Sequence, residues 1–245
     1  SQVTGIAVSG TDVYAIGYTQ DASYKAYICY WKNGVLNILP SYDDYFARGI
    51  AVSGADVYIS GLIKNPANPS DYIPVYWKNG VCNNLPVLDA NKAEDIYGIV
   101  ISGSDVYIAG TCQDSTGLYS AGYWKNGVWN GLTSIYTGMY YFNAYSIAVS
   151  GTDVYVGGFC TDYSYNIIPG YWKNGVWVGL PYTVDAPYTC YVAGITVYGS
   201  DVYATGFYQV VANVKIAGYW KNGVWNELPL SVSDGEPGIN SIIFK

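Results

Sequence analysis

Tyr30-Trp31-Lys32-Asn33-Gly34 is the first of five identical pentapeptides in this chain. The others are Tyr76–Gly80, Tyr123–Gly127, Tyr171–Gly175 and Tyr219–Gly223, at intervals of 46, 47, 48 and 48 residues. A fixed period of this size is the mark of a repeat architecture. Asn-Gly is also the strongest short hairpin signal, because both residues tolerate positive φ.

Working outward, each pentapeptide sits inside a longer repeat. In the first copy this runs Gly5-Ile-Ala-Val-Ser-Gly10, then Thr11-Asp12-Val13-Tyr14, with a Gly three residues on. After a variable loop come Ala26 to Gly34 and Val35 to Pro40. The Asp-Val-Tyr triplet starts at Asp12, Asp56, Asp105, Asp153 and Asp201, and its following Gly is Gly17, Gly61, Gly110, Gly158 and Gly206. Each copy holds four short apolar runs rich in β-branched and aromatic residues, bounded by turn residues, which predicts four strands and no helix. Tyr30 and Trp31 are adjacent, so they face opposite sides of a strand, yet both recur in every copy. A sheet buried on both faces fits that pattern. The sequence therefore predicts an all-β fold: a five-bladed β-propeller of four-stranded antiparallel blades.

The expected domain is single, over 1–245, with repeats at about 5–48, 49–97, 98–145, 146–193 and 194–237. A closing strand is expected at 239–245, because Asn240 to Lys245 resembles the first strand of a sixth copy. Either this tail or residues 5–9 completes the first blade, and the tail is the favoured choice.

Composition narrows the function. The net charge is −7, with 11 basic residues and 17% aromatic content. Phosphate tracking needs clustered Lys or Arg, so no nucleic-acid partner is expected. No apolar run reaches about 18 residues, so no membrane span is expected. With no His and no CxxC pair, no metal site and no cofactor are expected. The five cysteines (Cys29, Cys82, Cys112, Cys160 and Cys190) read as small buried strand residues; one disulfide is possible, but no framework. The chain lacks an initiator Met and a signal peptide and reads as processed or cut. Low charge and abundant Tyr suit an extracellular or cell-surface protein. Oligomeric state is left open.

The repeat resembles a kelch-type blade in outline, although the kelch double Gly is present only at Gly157-Gly158. It more closely resembles the repeats of bacterial secreted β-propeller proteins carrying Ser-Gly-x-Asp-Val-Tyr and Tyr-Trp-Lys-Asn-Gly motifs. That resemblance spans nearly the whole chain and implies a fold, with no assigned activity. The five-bladed plan also matches tachylectin-type lectins, by size only.

Strand order places both tight turns at one end of each blade and all variable loops at the other. Recognition belongs on such loops. The variable end carries 12 acids and five bases, and most of the loop Tyr residues. Candidate binding residues lie just ahead of the first strands: Tyr45, Arg48, Asp95, Tyr97, Asn143, Tyr145 and Tyr191, forming one asymmetric site at a channel mouth. The leading functional reading is non-enzymatic: a binding scaffold presenting an acidic, Tyr-rich face to a protein partner. The alternative is a lectin-like carbohydrate-binding propeller, since Tyr stacks on sugar rings. Five equal lectin sites would need loops that repeat, and these loops are read as not repeating. A glycoside hydrolase is a further alternative, with Asp44, Glu94, Asp95 and Glu236 as its carboxylates, though nothing marks a catalytic pair. Solvated loops without a ligand remain a fourth reading. The repeated Asp12 series reads as turn formers bonding nearby backbone amides, and the Trp31 series as blade packing.

Overall fold

The hairpin chemistry of the repeat is realised in every copy. The computed structural model describes residues 2–229 apart from 41–44, 67, 69–70, 90–93, 134–140, 163, 182–188 and 212–213. Asn33, Asn79, Asn126, Asn174 and Asn222 have φ near +50°, and each following Gly is also positive. Those are the two positive angles that a type I′ turn requires.

Five four-stranded antiparallel sheets result, each a simple meander. The first contains β1 (Gln2–Ser9), β2 (Asp12–Gln20), β3 (Ala26–Lys32) and β4 (Val35–Ile38). The second contains β5 (Tyr45–Ser53), β6 (Asp56–Lys64), β7 (Tyr72–Lys78) and β8 (Val81–Asn84). The third contains β9 (Glu94–Ser102), β10 (Asp105–Gln113), β11 (Tyr119–Lys125) and β12 (Val128–Gly131). The fourth contains β13 (Phe142–Ser150), β14 (Asp153–Thr161), β15 (Ile167–Lys173) and β16 (Val176–Gly179). The fifth contains β17 (Thr189–Tyr198), β18 (Asp201–Val211), β19 (Val214–Lys221) and β20 (Val224–Glu227). The described residues contain no helix. The first-blade place expected for the C-terminal tail is held by β1, which pairs with β2 from Gln2 to Ser9. The tail itself, 239–245, lies outside the described residues.

By contact the chain divides into two compact units: residues 1–118 with 124–130, and residues 119–123 with 131–245. In the first unit, Tyr14, Ile16, Ile28 and Leu39 of blade one pack on Ile50, Val57, Val75 and Trp77 of blade two. The same relation repeats one blade on, where Tyr58, Leu62 and Leu85 meet Ile96, Ile99, Val106 and Trp124. In the second unit, Leu180 of blade four meets Cys190, Val192, Ala204 and Trp220 of blade five. The repeated Trp of the pentapeptide is buried in copies two to five. From the third copy on, it also lies against the second Trp, with centroids 4.4–4.6 Å apart.

Two expectations change. First, the first strand of blades two to five begins four or five residues ahead of the repeat starts expected at about 49, 98, 146 and 194, because a β-bulge lets pairing continue. It falls at Thr4, Arg48, Tyr145 and Ala193. In β9 the register likewise shifts around Tyr97. Opposite each bulge sits the recurring Gly after Asp-Val-Tyr. A Cβ on Gly110 would strike the Asp95 carbonyl oxygen and lie 2.6 Å from the Trp124 ring. Second, the Asp12 series does not cap its own turn. Asp12 Oδ1 accepts a 2.8 Å bond from Asn33 Nδ2 in the neighbouring hairpin, and Asn33 Oδ1 accepts from the Val13 amide at 2.9 Å. Lys32 Nζ lies 2.8 Å from Asp12 Oδ2. All five blades repeat this latch between their two tight turns.

Candidate functional site

The bulge turns the predicted site residues into a pattern. A bulge re-aims one side chain out of the alternation of its strand. Arg48, Tyr97 and Tyr145 are such residues, and Asp95, Asn143 and Tyr191 lie two positions earlier in their own strands. All were expected in loops just ahead of a strand; the structure puts them within strands. Tyr45 is the first residue of β5, opposite Ile63; its side chain lies outside the described residues. So do Asp44, Glu236 and the side chain of Glu94.

In the first unit, Arg48 reaches blade three. Its Nη2 lies 3.8 Å from Asp95 Oδ1. Tyr97 donates its hydroxyl to Asp95 Oδ2 at 2.6 Å. The guanidinium stacks over Tyr97 at 5.8 Å and over Phe46 at 5.5 Å. Arg48 is thus oriented by a carboxylate and two ring faces. In the second unit, Tyr145 makes the corresponding contact to the next blade, on Tyr191 at 5.0 Å. Asn143 donates to the Tyr145 hydroxyl at 3.3 Å. Phe159 and Phe207 extend this aromatic group. Six of the seven predicted residues therefore form two groups, Arg48, Asp95 and Tyr97 in the first unit and Asn143, Tyr145 and Tyr191 in the second.

Beside Arg48, blades one and two enclose a cleft of about 690 Å³. Rings from Tyr18, Tyr24, Phe46 and Tyr72 line it, with polar ends from Gln2, Thr4, Lys25 and Arg48. Phe46 and Tyr72 pack at 5.5 Å, and the Tyr18 hydroxyl donates to the Gln2 side-chain oxygen. This is the size and mixed character of a small-ligand site. The described lining residues include no carboxylate. Of the lining, the sequence picked out Arg48 as a site residue; the others lie up to 70 residues apart and meet only through blade stacking.

The loop that carries Tyr24 is built, not slack. Asp21 Oδ1 accepts from the Ser23 amide at 2.8 Å, the Ser23 hydroxyl at 2.6 Å and the Lys25 amide at 3.0 Å. The Ser23 hydroxyl above all, with these amides, holds the Asp21 carboxyl down to about 2. Tyr24 is thereby kept in the left-handed region at φ +64°, where a bulky side chain is rare. Asp114 and Asp162 make the same turn, with Gly117 at +88° and Tyr165 at +62° in the equivalent place. These loops do repeat, contrary to the expectation above. Their signal is Asp-x-Ser/Thr right after the second strand.

No metal-binding group of three or more His, Cys, Asp or Glu occurs among the described residues. Among them also, no helix is long and apolar enough to cross a membrane.

No protein-family model matches the sequence, and no curated protein matches it. Solved structures do resemble it. The SapL1 lectin, solved with α-methyl fucoside, superposes with a TM-score of 0.52 at 13% identity, over 92% of this chain and 80% of that one. The six-bladed Aleuria aurantia lectin, described by its fucose recognition, gives 0.51 at 12% identity over 93% and 77%. A thermostable family-43 glycoside hydrolase gives 0.51 at 12% identity over 96% and 95%. Likeness at this identity speaks to fold alone. Together with the five meander sheets, it makes the chain an all-β propeller with five four-stranded blades.

Proposed function

We propose that this chain is a non-enzymatic carbohydrate-binding propeller, with its sugar site in the cleft between the first two blades. The observation that carries the reading is the cleft's lining: four aromatic rings beside Gln2, Thr4, Lys25 and Arg48. Ring faces take the C–H face of a pyranose. The Arg and Lys donors, and the Gln amide, suit its hydroxyls. The pre-set Arg48 and the strained Tyr24 loop lower the ordering cost of binding. The likeness to two fucose lectins supports the same reading. A concave site of this volume suits a mono- or disaccharide better than a protein epitope, so the carbohydrate reading ranks above the protein-scaffold one.

The hydrolase reading finds less support. Inverting and retaining glycosidases need two placed carboxylates. The described cleft lining has none, and Asp95 is engaged by Arg48 and Tyr97.

The test is a glycan array at micromolar protein, run with the wild type and with Arg48→Ala and Tyr72→Ala. A signal lost in both variants is expected. Silence across the array, with a protein recovered by pull-down instead, would overturn the proposal.

A further inference from the structure

A neutral sugar presents hydroxyls, and each hydroxyl proton needs an acceptor. A carboxylate or a sulfate ester only accepts. The described lining of the cleft between blades one and two suits the second kind of ligand. Arg48 and Lys25 both line it, and neither side chain can accept a hydrogen bond. The side-chain oxygen of Gln2 already accepts from the Tyr18 hydroxyl. Five of the chain's 11 basic residues sit in the latches, as Lys32, Lys78, Lys125, Lys173 and Lys221. Of the others, Lys25 and Arg48 come together at this one cleft.

Asp21, Asp71 and Asp95 neighbour the lining residues in sequence or in space, but each is engaged within the protein. Asp21 accepts from Ser23 and the Lys25 amide and, through Oδ2, from the Tyr27 hydroxyl at 3.0 Å. Asp71 Oδ2 accepts from Asn68 Nδ2 at 2.7 Å. Asp95 accepts from the Ile96 amide at 3.1 Å and from the Tyr97 hydroxyl. Its approach to Arg48, at 3.8 Å, is longer than a hydrogen bond, so the Arg48 donors keep their capacity for a ligand. A guanidinium held flat against two rings presents a planar fork that matches a carboxylate or a sulfate.

We propose that the ligand of this cleft is an anionic sugar, one bearing a carboxylate or a sulfate ester, with that group on the Arg48 fork, Lys25 as the second cation and the pyranose face on the rings. The inference rests on the carbohydrate reading above and narrows it. The net charge of −7 does not oppose it, because exposed charges more than about 8 Å from the bound anion are largely screened at physiological salt.

Calorimetric titration with matched pairs of methyl glycosides tests it: glucuronic acid against glucose, and a galactose sulfate ester against galactose. The anionic member of at least one pair is expected to bind about 10-fold or more tightly than its neutral partner, the worth of one charge-assisted hydrogen bond. The pair that shows the preference tells carboxylate from sulfate. Raising salt from about 50 to about 500 mM is expected to shrink the preference, since screening acts on the charged member. Arg48→Gln and Lys25→Gln are each expected to bring the ratio of affinities within that pair towards one. Lys25→Gln serves where Arg48→Gln fails to fold, because the Asp21 turn uses the Lys25 backbone. Equal affinity for both members of every pair, still lost in Tyr72→Ala, overturns the inference and leaves the carbohydrate reading standing. Silence in every pair, with neutral glycans bound on the array, does the same; silence on the array as well overturns both. An anionic preference untouched by either variant puts the anion elsewhere and also overturns the inference.

Discussion

Arg48 and Asp95 meet across two blades at 3.8 Å, both about 40% exposed, and this pair aims the guanidinium beside the cleft. A half-exposed ion pair adds little stability by itself. Its value lies in orientation, because Tyr97 fixes the carboxylate and two rings fix the guanidinium plane. Arg48→Ala is expected to weaken glycan binding about 10- to 100-fold, the worth of one charge-assisted hydrogen bond. Asp95→Asn, which keeps the Tyr97 contact but not the charge, should cost about 3- to 10-fold. Titration calorimetry with the strongest array glycan checks both. Equal affinity in wild type and Asp95→Asn would remove Asp95 from any role in binding.

The blade plan was legible because it rests on local chemistry. Asn33-Gly34 dictates a turn, and two-sided apolar strands dictate stacking on both faces. The site was half legible. Arg48, Asp95 and Tyr97 stand out as polar or aromatic residues before an apolar run, but alternation at period two hides a bulge, so from sequence they read as loop residues. The cleft was not legible. Gln2, Tyr24, Arg48 and Tyr72 are brought together by packing one blade on the next, and no motif spans that distance. Asp21-Ala-Ser23 was legible in principle, since Asp114-Ser-Thr116 and Asp162-Tyr-Ser164 repeat it. The rest of each loop differs, and that difference hides the shared turn. Asp12 reads from sequence as a cap of its own turn because its partner, Asn33, lies 21 residues away in the next hairpin.

The latch residues set an acid limit on stability. In all five blades the Lys and Asn partners hold the Asp carboxyl below its ordinary value of 3.8. A depressed carboxyl contributes stability above its unfolded pKa, and that contribution is lost as pH falls through the folded value. Tm is therefore expected to hold between about pH 5 and 8 and to fall as pH drops below about 4, by a small step for each half-exposed pair that adds up over the five blades. Changing Asp12, Asp56, Asp105, Asp153 and Asp201 together to Asn should flatten that fall. It should not abolish it, because Asp21, Asp114 and Asp162 are also depressed by their turn hydrogen bonds. Scanning calorimetry from pH 2 to 8 decides; an unchanged acid slope in the fivefold variant would show that the latches carry none of it.

Thiol reactivity should report the blade interior. None of the five cysteines is in a disulfide; Cys29, Cys112, Cys160 and Cys190 are buried and Cys82 is partly exposed. Burial pushes the Cys29 thiol up to about 11 and the Cys190 thiol higher still. Cys82 is raised as well, also by burial, so even it should react slowly, since the thiolate is the nucleophile. Labelling with a chromogenic disulfide reagent at pH 8 is expected to modify one thiol slowly in the folded protein and five at once in denaturant. Cys82→Ser should reduce the folded count to none. Rapid labelling of two or more thiols without denaturant would contradict this burial.

Glycine recurs in each blade for two different reasons, and substitution separates them. Gly127 ends the Asn-Gly turn at φ +79°, with nothing within 4 Å of a new Cβ. Gly127→Ala therefore costs only backbone strain, about 1 kcal/mol. Gly110 faces the register shift of β9, where a Cβ meets the Asp95 carbonyl and the buried Trp124 ring. Neither obstacle can retreat: one is backbone, and the other is locked in the core with its Nε1–H donated to the Pro86 carbonyl at 2.7 Å. Overpacking of this kind costs about 1–3 kcal/mol or more. Gly110→Ala should also displace Asp95 and, through it, Arg48, so glycan affinity should fall along with stability. Gly127→Ala should leave affinity unchanged. Urea unfolding and calorimetric titration of both variants measure the two effects. If Gly110→Ala lowers stability but leaves affinity intact, then Arg48 does not depend on the backbone position of Asp95.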